Sequence, residues 1–244
     1  MENLIEINYD KGKLLGIETI AKENDRKICV MFVPGIPGDR VDFRRINVKL
    51  ARILDRNGIS SLRIDFWASG VSDGAYYEIV PEKIIEQIGI GVNYLKKRNY
   101  NKIVLIVFSE AAIYALNYVS VNDDVDDIIM CNGVVKAAQF KQFSGIKKAI
   151  RKGNYLVLDS GYGVWLNIKI VRQKFDFILK DILKKHRIFA IYGTKDILTS
   201  ESMKECENMG CIMNYVEGAD HLFTKYIWEK ELLCKIEDIC KNKL

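Results

Sequence analysis

The chain has 244 residues, of which 49% are hydrophobic and 28% charged, and only three are prolines. This length suits one α/β domain and excludes a second large domain, and the composition excludes an intrinsically disordered chain. The net charge of +5 comes from 37 basic and 32 acidic residues scattered along the chain. Because no basic stripe with interleaved aromatic residues occurs, we predict solvated helix faces and no nucleic-acid partner.

Six cysteines occur without a CxxC pair and without metal-ligand spacing to a histidine, so we predict free thiols and no metal site. The N-terminal residues lack the basic and apolar segments of a secretory signal. The longest apolar stretch, 103–119, is interrupted by polar residues and is too short for a bilayer span. These features predict a cytoplasmic protein with no membrane partner.

Apolar strand-like runs alternate with helical periodicity, which is typical of a mostly parallel sheet covered by helices. An antiparallel hairpin is predicted over 4–9 and 14–21, followed by a buried strand over 28–33. The first helix ends at Asn57-Gly58, and Pro81 begins the second, over 81–98. The remaining strands are predicted at 61–66, 102–108, 127–131, 187–192 and 212–216, and the remaining helices of the sheet domain at 109–119 and 223–240.

About fifty residues separate the predicted strands that end at Cys131 and begin at Arg187, more than one crossover helix requires. We predict a small lid at 134–185 within a single domain, 1–244, and a helical segment over 168–183 inside this lid. The alternative is an ordinary hairpin and helix that make no contact with substrate.

Three short segments carry a serine, an aspartate and a histidine in that order. Ser109 directly follows an apolar strand, Asp196 lies in Gly193-Thr194-Lys195-Asp196 after a later strand, and His221 lies near the C-terminus. Chymotrypsin and subtilisin carry these residue types in other orders, whereas Ser, Asp, His is the order of α/β-hydrolases. On these residues the chain resembles the α/β-hydrolase superfamily, in particular its small-lid serine aminopeptidase-like hydrolases and cinnamoyl or feruloyl esterases.

The resemblance implies an α/β-hydrolase fold and a catalytic triad of Ser109, Asp196 and His221. His186 lies in a basic stretch and is predicted to occupy a solvated loop, which leaves His221 as the candidate base. Asp220 is next to His221, and we predict a capping role for it, not a triad role. The alternative for Ser109 is a simple N-cap after a buried strand.

An oxyanion hole requires two backbone N–H groups, and we assign them to Glu110 and Ile36. Ile36 lies in Pro34-Gly35-Ile36-Pro37-Gly38, where members of the superfamily have His-Gly. Two residues depart from the superfamily pattern, because Pro34 replaces that histidine and Val107 replaces the first glycine of G-x-S-x-G. The segment 65–72 resembles the D-x-R-G-x-G-x-S loop, for which a structural role is predicted.

The implied reaction is two-step acyl transfer from a small-molecule ester or acyl substrate, free or carrier-bound, without cofactor. A thioesterase, an amide hydrolase and a catalytically silent binding scaffold remain as alternatives. Core packing is the alternative for the aromatic residues that we predict to line the substrate pocket, which are Trp67, Tyr76, Tyr77, Tyr162 and Trp165.

Overall fold

The centre of the protein is a mostly parallel β-sheet. The computed structural model describes residues 1–23, 27–135, 149–159, 165–173 and 175–244. The described strands are β1 (Glu2–Tyr9), β2 (Gly12–Thr19), β3 (Ile28–Val33), β4 (Ser60–Ile64), β5 (Lys102–Phe108), β6 (Asp127–Cys131), β7 (Ala149–Lys152), β8 (Tyr155–Asp159), β9 (Trp165–Asn167), β10 (Arg187–Gly193) and β11 (Ile212–Val216). Within these residues one eight-stranded sheet has the order β1-β2-β4-β3-β5-β6-β10-β11, in which β2 pairs antiparallel with β1 and β4 and the other pairs are parallel.

Helices cover both faces of this sheet. Their bounds are α1 (Ile46–Arg56), α2 (Pro81–Lys96), α3 (Ala111–Val121), α4 (Ile168–Arg172), α5 (Leu179–Ile182), α6 (Ser200–Met209) and α7 (Tyr226–Asn242). Pro81 occupies the first turn of α2, where its missing N–H costs no helical hydrogen bond. Gly58 follows the end of α1 with a φ of 71°, a conformation that glycine adopts without steric cost.

Alternate residues of each central strand enter two different apolar cores. In β5, Val104 and Ile106 pack on the face covered by α1 and α7, whereas Leu105 and Val107 pack on the face covered by α2 and α3. Burial of one such aliphatic side chain stabilises the fold by about 1.5–3 kcal/mol. The double coverage explains why these strands appear in the sequence as continuous apolar runs.

The loop after β4 has the predicted structural role. The buried Asp65 carboxylate accepts hydrogen bonds from the Arg40 N–H at 2.7 Å and the Val71 N–H at 2.8 Å. The Ser72 hydroxyl donates to the Asp65 carbonyl at 2.7 Å. A Cβ on Gly70, whose φ is 53°, would overlap the Asp65 carboxylate, so glycine is required there.

The segment predicted as a lid has its own secondary structure. β7, β8 and β9 form an antiparallel sheet that is separate from the main one. This segment contacts the main sheet domain, because the Asn167 side-chain amide donates to the Tyr77 carbonyl at 2.9 Å and Phe175 packs edge-on against Tyr114 at 5.6 Å between ring centroids. Residues 136–148, 160–164 and 174 of the predicted lid lie outside the described residues.

Two predictions about local structure are wrong. The continuous helix over 168–183 is replaced by α4 and α5, because the chain is extended at Gln173 and Ile178 and Phe175 packs on Tyr114 instead of continuing a helix. His186 is buried, not solvated, and its Nδ1 lies 2.9 Å from the Val125 carbonyl oxygen, to which it donates. The chain enters β10 at this point, so the imidazole packs inward between lysine and arginine side chains that stay exposed.

One described helix was absent from the prediction. α6 has a strongly polar sequence, and Ser202 and Cys206 are its buried residues. Such a helix leaves almost no apolar periodicity to detect. In the part of the chain that the structure describes, no helix is long and apolar enough to cross a lipid bilayer.

Candidate active site

Ser109 occupies a sharp turn between β5 and α3. Its φ is 51°, which is strained for a residue with a Cβ. The Ser109 N–H donates to the Cys131 carbonyl at 3.1 Å, and its carbonyl accepts from the Val134 N–H at 2.9 Å. These bonds to the end of β6 and to the residues that follow it hold the strained turn. Because the turn precedes α3, the helix begins at Ala111, two residues after its predicted start.

Val107 is compatible with this turn. Its side chain is fully buried in the core beneath α2 and α3, and its backbone pairs with Val33 and Met130 in the neighbouring strands. The small side chains needed close to Ser109 are supplied on the other side by Ala111 and Ala112, which are also fully buried. The strand-to-helix turn therefore forms with valine at a position where the superfamily pattern has glycine.

The three residues predicted as a triad lie in one hydrogen-bonded chain. Ser109 Oγ is 2.9 Å from His221 Nε2, and His221 Nδ1 is 2.8 Å from Asp196 Oδ2. The Asp220 carboxylate has a different partner. Its Oδ1 accepts a hydrogen bond from the Thr224 N–H at 2.9 Å. Asp220 therefore caps the turn that follows His221, as predicted from the sequence.

The environment of Asp196 favours its ionised form. Burial acts to raise the pKa of this carboxyl, but hydrogen bonds from His221, Thr199 and the Leu198 N–H outweigh burial and hold it below its ordinary value. The Leu198 N–H donates to Oδ1 at 2.8 Å, and the Thr199 hydroxyl donates to Oδ2. An ionised Asp196 accepts a hydrogen bond from His221 Nδ1–H, which keeps the proton on Nδ1 and leaves Nε2 free to accept the Ser109 proton.

Two residues that the sequence analysis did not single out hold the His221 loop. The Asn132 side-chain amide donates to the His221 carbonyl at 2.8 Å, and its Oδ1 accepts from the Gly193 N–H at 2.8 Å. The Arg44 guanidinium donates to the carbonyls of Leu222 and Phe223 at 2.7 and 2.6 Å. Asn132 lies just after β6, at the carboxyl edge of a parallel sheet, where functional side chains collect. This position was the one feature of the sequence that pointed to Asn132.

The Glu110 side chain accepts a hydrogen bond from one of the two backbone N–H groups predicted as oxyanion donors. The Ile36 N–H donates to Oε1 of Glu110 at 2.5 Å. Burial raises the pKa of Glu110 above its ordinary value. Part of this effect is offset by nearby groups, which are its own N–H, the Ile36 N–H, the Ser109 side chain and His221. In this structure the Glu110 carboxylate therefore occupies the predicted donor of Ile36.

An apolar cleft adjoins the Ile36 loop. Its empty volume is about 330 Å³ when the open solvent at its mouth is included. Trp67 and Tyr76 are among its lining residues. The Trp67 ring is also part of the core, packs edge-on against Tyr9 at 5.7 Å between centroids, and donates through Nε1 to Glu78 at 2.7 Å. Trp67 is therefore a fixed wall of the cleft.

The other aromatic residues predicted for the pocket are placed differently. Tyr77 packs against Tyr155 of β8 at 5.7 Å between centroids, and Trp165 lies in β9 with Lys152 Nζ 4.6 Å from its ring centroid. Neither residue is among those that line the cleft next to Ile36. Tyr162 lies outside the described residues.

Comparison with protein-family models and with curated protein sequences gave no match. Solved structures did match. Est1E from Butyrivibrio proteoclasticus with bound ferulic acid has a TM-score of 0.78 at 19% identity, over 98% of this chain and 97% of that chain. The α/β-hydrolase GrgF from Penicillium sp. sh18 has a TM-score of 0.75 at 14% identity, over 99% and 98%. An esterase from Pyrococcus furiosus has a TM-score of 0.72 at 20% identity, over 99% and 90%.

These likenesses cover nearly the whole of this chain and of each matched chain. Together with the eight strands of the main sheet and their order, they show that the chain has the α/β-hydrolase fold. The fold class predicted from the order of the three motifs is therefore confirmed.

Proposed function

We propose that this protein is a serine hydrolase that cleaves carboxylic esters through an acyl-enzyme. The observation that carries the proposal is the chain of hydrogen bonds from Ser109 Oγ through His221 to Asp196, at 2.9 and 2.8 Å. A serine on a strained strand-to-helix turn, an imidazole within hydrogen-bond distance and a buried carboxylate behind that imidazole are the parts that nucleophilic acyl transfer needs.

In the proposed reaction, His221 Nε2 takes the proton of Ser109 as Oγ attacks the ester carbonyl carbon. The carbonyl oxygen becomes an oxyanion that the N–H groups of Ile36 and Glu110 stabilise. His221 then gives its proton to the leaving alcohol, and the C–O bond to that alcohol breaks. A water molecule repeats the sequence on the acyl-enzyme and releases the acid and free Ser109.

The cleft beside Ile36 is the proposed binding site for the apolar part of the substrate. Trp67 and Tyr76 supply aromatic surface there, which suits an aryl or aliphatic ester. The ferulic acid in the similar Est1E structure is an aryl acid and supports the same class of substrate. We propose the segment 134–185 as a lid over this site. The cysteines are in the reduced form, which supports action in a reducing compartment such as the cytoplasm.

A thioesterase or amide hydrolase would use the same three residues and differ in its leaving group. A silent binding scaffold is the second candidate, and one observation favours it: the Glu110 carboxylate accepts the Ile36 N–H that a substrate carbonyl would need. Covalent capture of the serine separates this candidate from all the enzymes.

The test is labelling with a fluorophosphonate, followed by mass spectrometry to locate the modified residue. We expect modification of Ser109, none in Ser109→Ala, and a loss of turnover of ~10³-fold or more in that variant on p-nitrophenyl esters. A panel of esters, acyl thioesters and aminoacyl anilides then ranks the leaving groups. Near wild-type turnover by a clean, folded Ser109→Ala preparation would contradict the proposal.

A further inference from the structure

The side chain of Glu110 lies at the place where acyl transfer needs an empty oxyanion site. Its Oε1 accepts the Ile36 N–H at 2.5 Å. The Ile36 N–H is one of the two N–H groups to which the proposed function assigns the oxyanion. A carboxylate oxygen and a tetrahedral oxyanion are both anionic acceptors, so the same donors bind either one.

We propose that the Glu110 carboxylate occupies the oxyanion site of the substrate-free protein, and that acyl substrates bind productively only after this side chain has left the Ile36 N–H. The inference rests on the proposed function, because it needs these donors to serve the reaction. Glu110 thereby acts as an internal competitor of the substrate carbonyl, and its backbone N–H and side chain have opposite effects on the reaction.

The surroundings of Glu110 bear on how firmly its side chain stays in place. The electrostatic interaction with His221 favours the ionised carboxylate. Three acidic groups repel the Glu110 carboxylate when they are ionised. They are the carboxyl of Asp42, which precedes α1, and the phenols of Tyr76 beside the cleft and Tyr114 on α3. The carboxyl is also buried, which raises its pKa. Protonation therefore weakens its hydrogen bond with the Ile36 N–H at a higher pH than for an exposed glutamate.

The experiment compares wild type with Glu110→Ala and Glu110→Gln. The readout is the second-order rate of fluorophosphonate labelling at Ser109 between pH 5.5 and 9. Alanine removes the competing carboxylate, so at pH 8 to 9 we expect labelling to be about tenfold faster than in wild type, or more. This factor corresponds to the loss of one hydrogen bond to a charged acceptor. Glutamine is a neutral and weaker acceptor, so an intermediate rate is expected.

The ratio of the Glu110→Ala rate to the wild-type rate should fall towards one as the pH drops and Glu110 gains its proton. Each variant rate is divided by the wild-type rate measured at the same pH. Glu217→Ala is the matched control, since it removes an exposed carboxylate that accepts from the Thr194 hydroxyl at 3.1 Å, and its ratio should stay near one throughout.

The outcomes separate the inference from the function on which it rests. If Ser109 is labelled in all proteins and the Glu110 variants are no faster than wild type at high pH, the inference is wrong and the proposed function stands. If none of the proteins is labelled at any pH, both are wrong. Should Glu110→Ala fail to fold, Glu110→Gln decides, together with a structure of labelled wild type, in which Oε1 must no longer accept from Ile36.

Discussion

His221 is restrained through its ring and through its main chain. Asp196 accepts from Nδ1 at 2.8 Å, and Asn132 donates to the His221 carbonyl at 2.8 Å. Arg44 holds the next two carbonyls, at 2.7 and 2.6 Å. Fixing both the tautomer and the position of an imidazole lowers the entropy that must be lost before proton transfer.

Asp196 and Asp220 are expected to differ sharply when each is replaced by asparagine. Asp196→Asn removes the carboxylate that sets the His221 tautomer, so kcat/KM on a p-nitrophenyl ester should fall by about 10³–10⁴-fold. Asp220→Asn keeps an oxygen acceptor for the Thr224 N–H and should change kcat/KM by less than about tenfold. The reverse ranking would show that the acid member of the triad is misassigned.

Single residues also show the limit of sequence reasoning. Ser109, Asp196 and His221 could be predicted because each follows a recognisable strand in a fixed order. The hydrogen-bond partners of Asn132 and Arg44 could not be predicted, because they are main-chain carbonyls 89 and 178 residues away along the chain. No spacing rule links such partners, since only the folded sheet brings their segments together.

The insertion between β6 and β10 is attached to the main domain through Asn167. The Asn167 amide donates to the Tyr77 carbonyl at 2.9 Å, and its Oδ1 caps α4 by accepting from the Lys169 N–H at 3.0 Å. This side chain is 3% exposed, so neither bond is readily replaced by water. One buried amide thus couples the insertion to the segment beside the substrate cleft.

Asn167→Ala should loosen the insertion without affecting the central sheet. Loss of the cap alone weakens a helix by about 1 kcal/mol, and the Tyr77 carbonyl loses its donor as well. We expect faster amide hydrogen exchange in peptides that cover 165–172 and unchanged exchange in β3 and β5, measured by mass spectrometry. Asn242→Ala, which removes an exposed amide at the end of α7, is the control. Equal exchange in both variants would contradict this role for Asn167.

Over the whole molecule, buried carboxyls make stability depend on pH in opposite directions. Asp196 and Glu229 have lowered pKa values although burial acts to raise them. Hydrogen bonds from His221 and Thr199 lower the pKa of Asp196, and hydrogen bonds from Lys49 and Arg44 lower that of Glu229. They stabilise the fold above their unfolded pKa values, and this stabilisation is lost as the pH falls. Asp42 acts in the opposite direction, since burial raises its pKa to about 6 and its Oδ2 has no hydrogen-bond partner within the described residues.

Replacing Asp42 by asparagine tests the second direction. The folded protein holds the Asp42 proton more tightly than the unfolded chain, so its contribution to stability falls as the pH rises from about 4 to about 6. Asp42→Asn should therefore become more stable relative to wild type over this interval, by at most about 3 kcal/mol, and the difference should then stay constant. Asparagine has the same shape as aspartate and keeps an acceptor for the Phe43 N–H.

Urea unfolding at pH 4, 5, 6 and 8 measures this difference in the free energy of unfolding. Asp39→Asn is a useful comparison, because Asp39 lies in the same loop and its Oδ1 accepts from the Val41 N–H at 2.7 Å. A difference between Asp42→Asn and wild type that does not change with pH would show that Asp42 ionises in the folded protein as it does in the unfolded chain.

The amino-acid sequence by itself determined the alternation of strands and helices, the α/β-hydrolase fold and the three segments that carry Ser109, Asp196 and His221. These are local features, because hydrophobic periodicity and strand-to-helix turns are properties of neighbouring residues. Only the tertiary structure decided that Glu110 accepts the Ile36 N–H, that His186 is buried and that the helix predicted over 168–183 is divided. Each of these depends on contacts between segments far apart in the chain, where packing and desolvation outweigh local propensity.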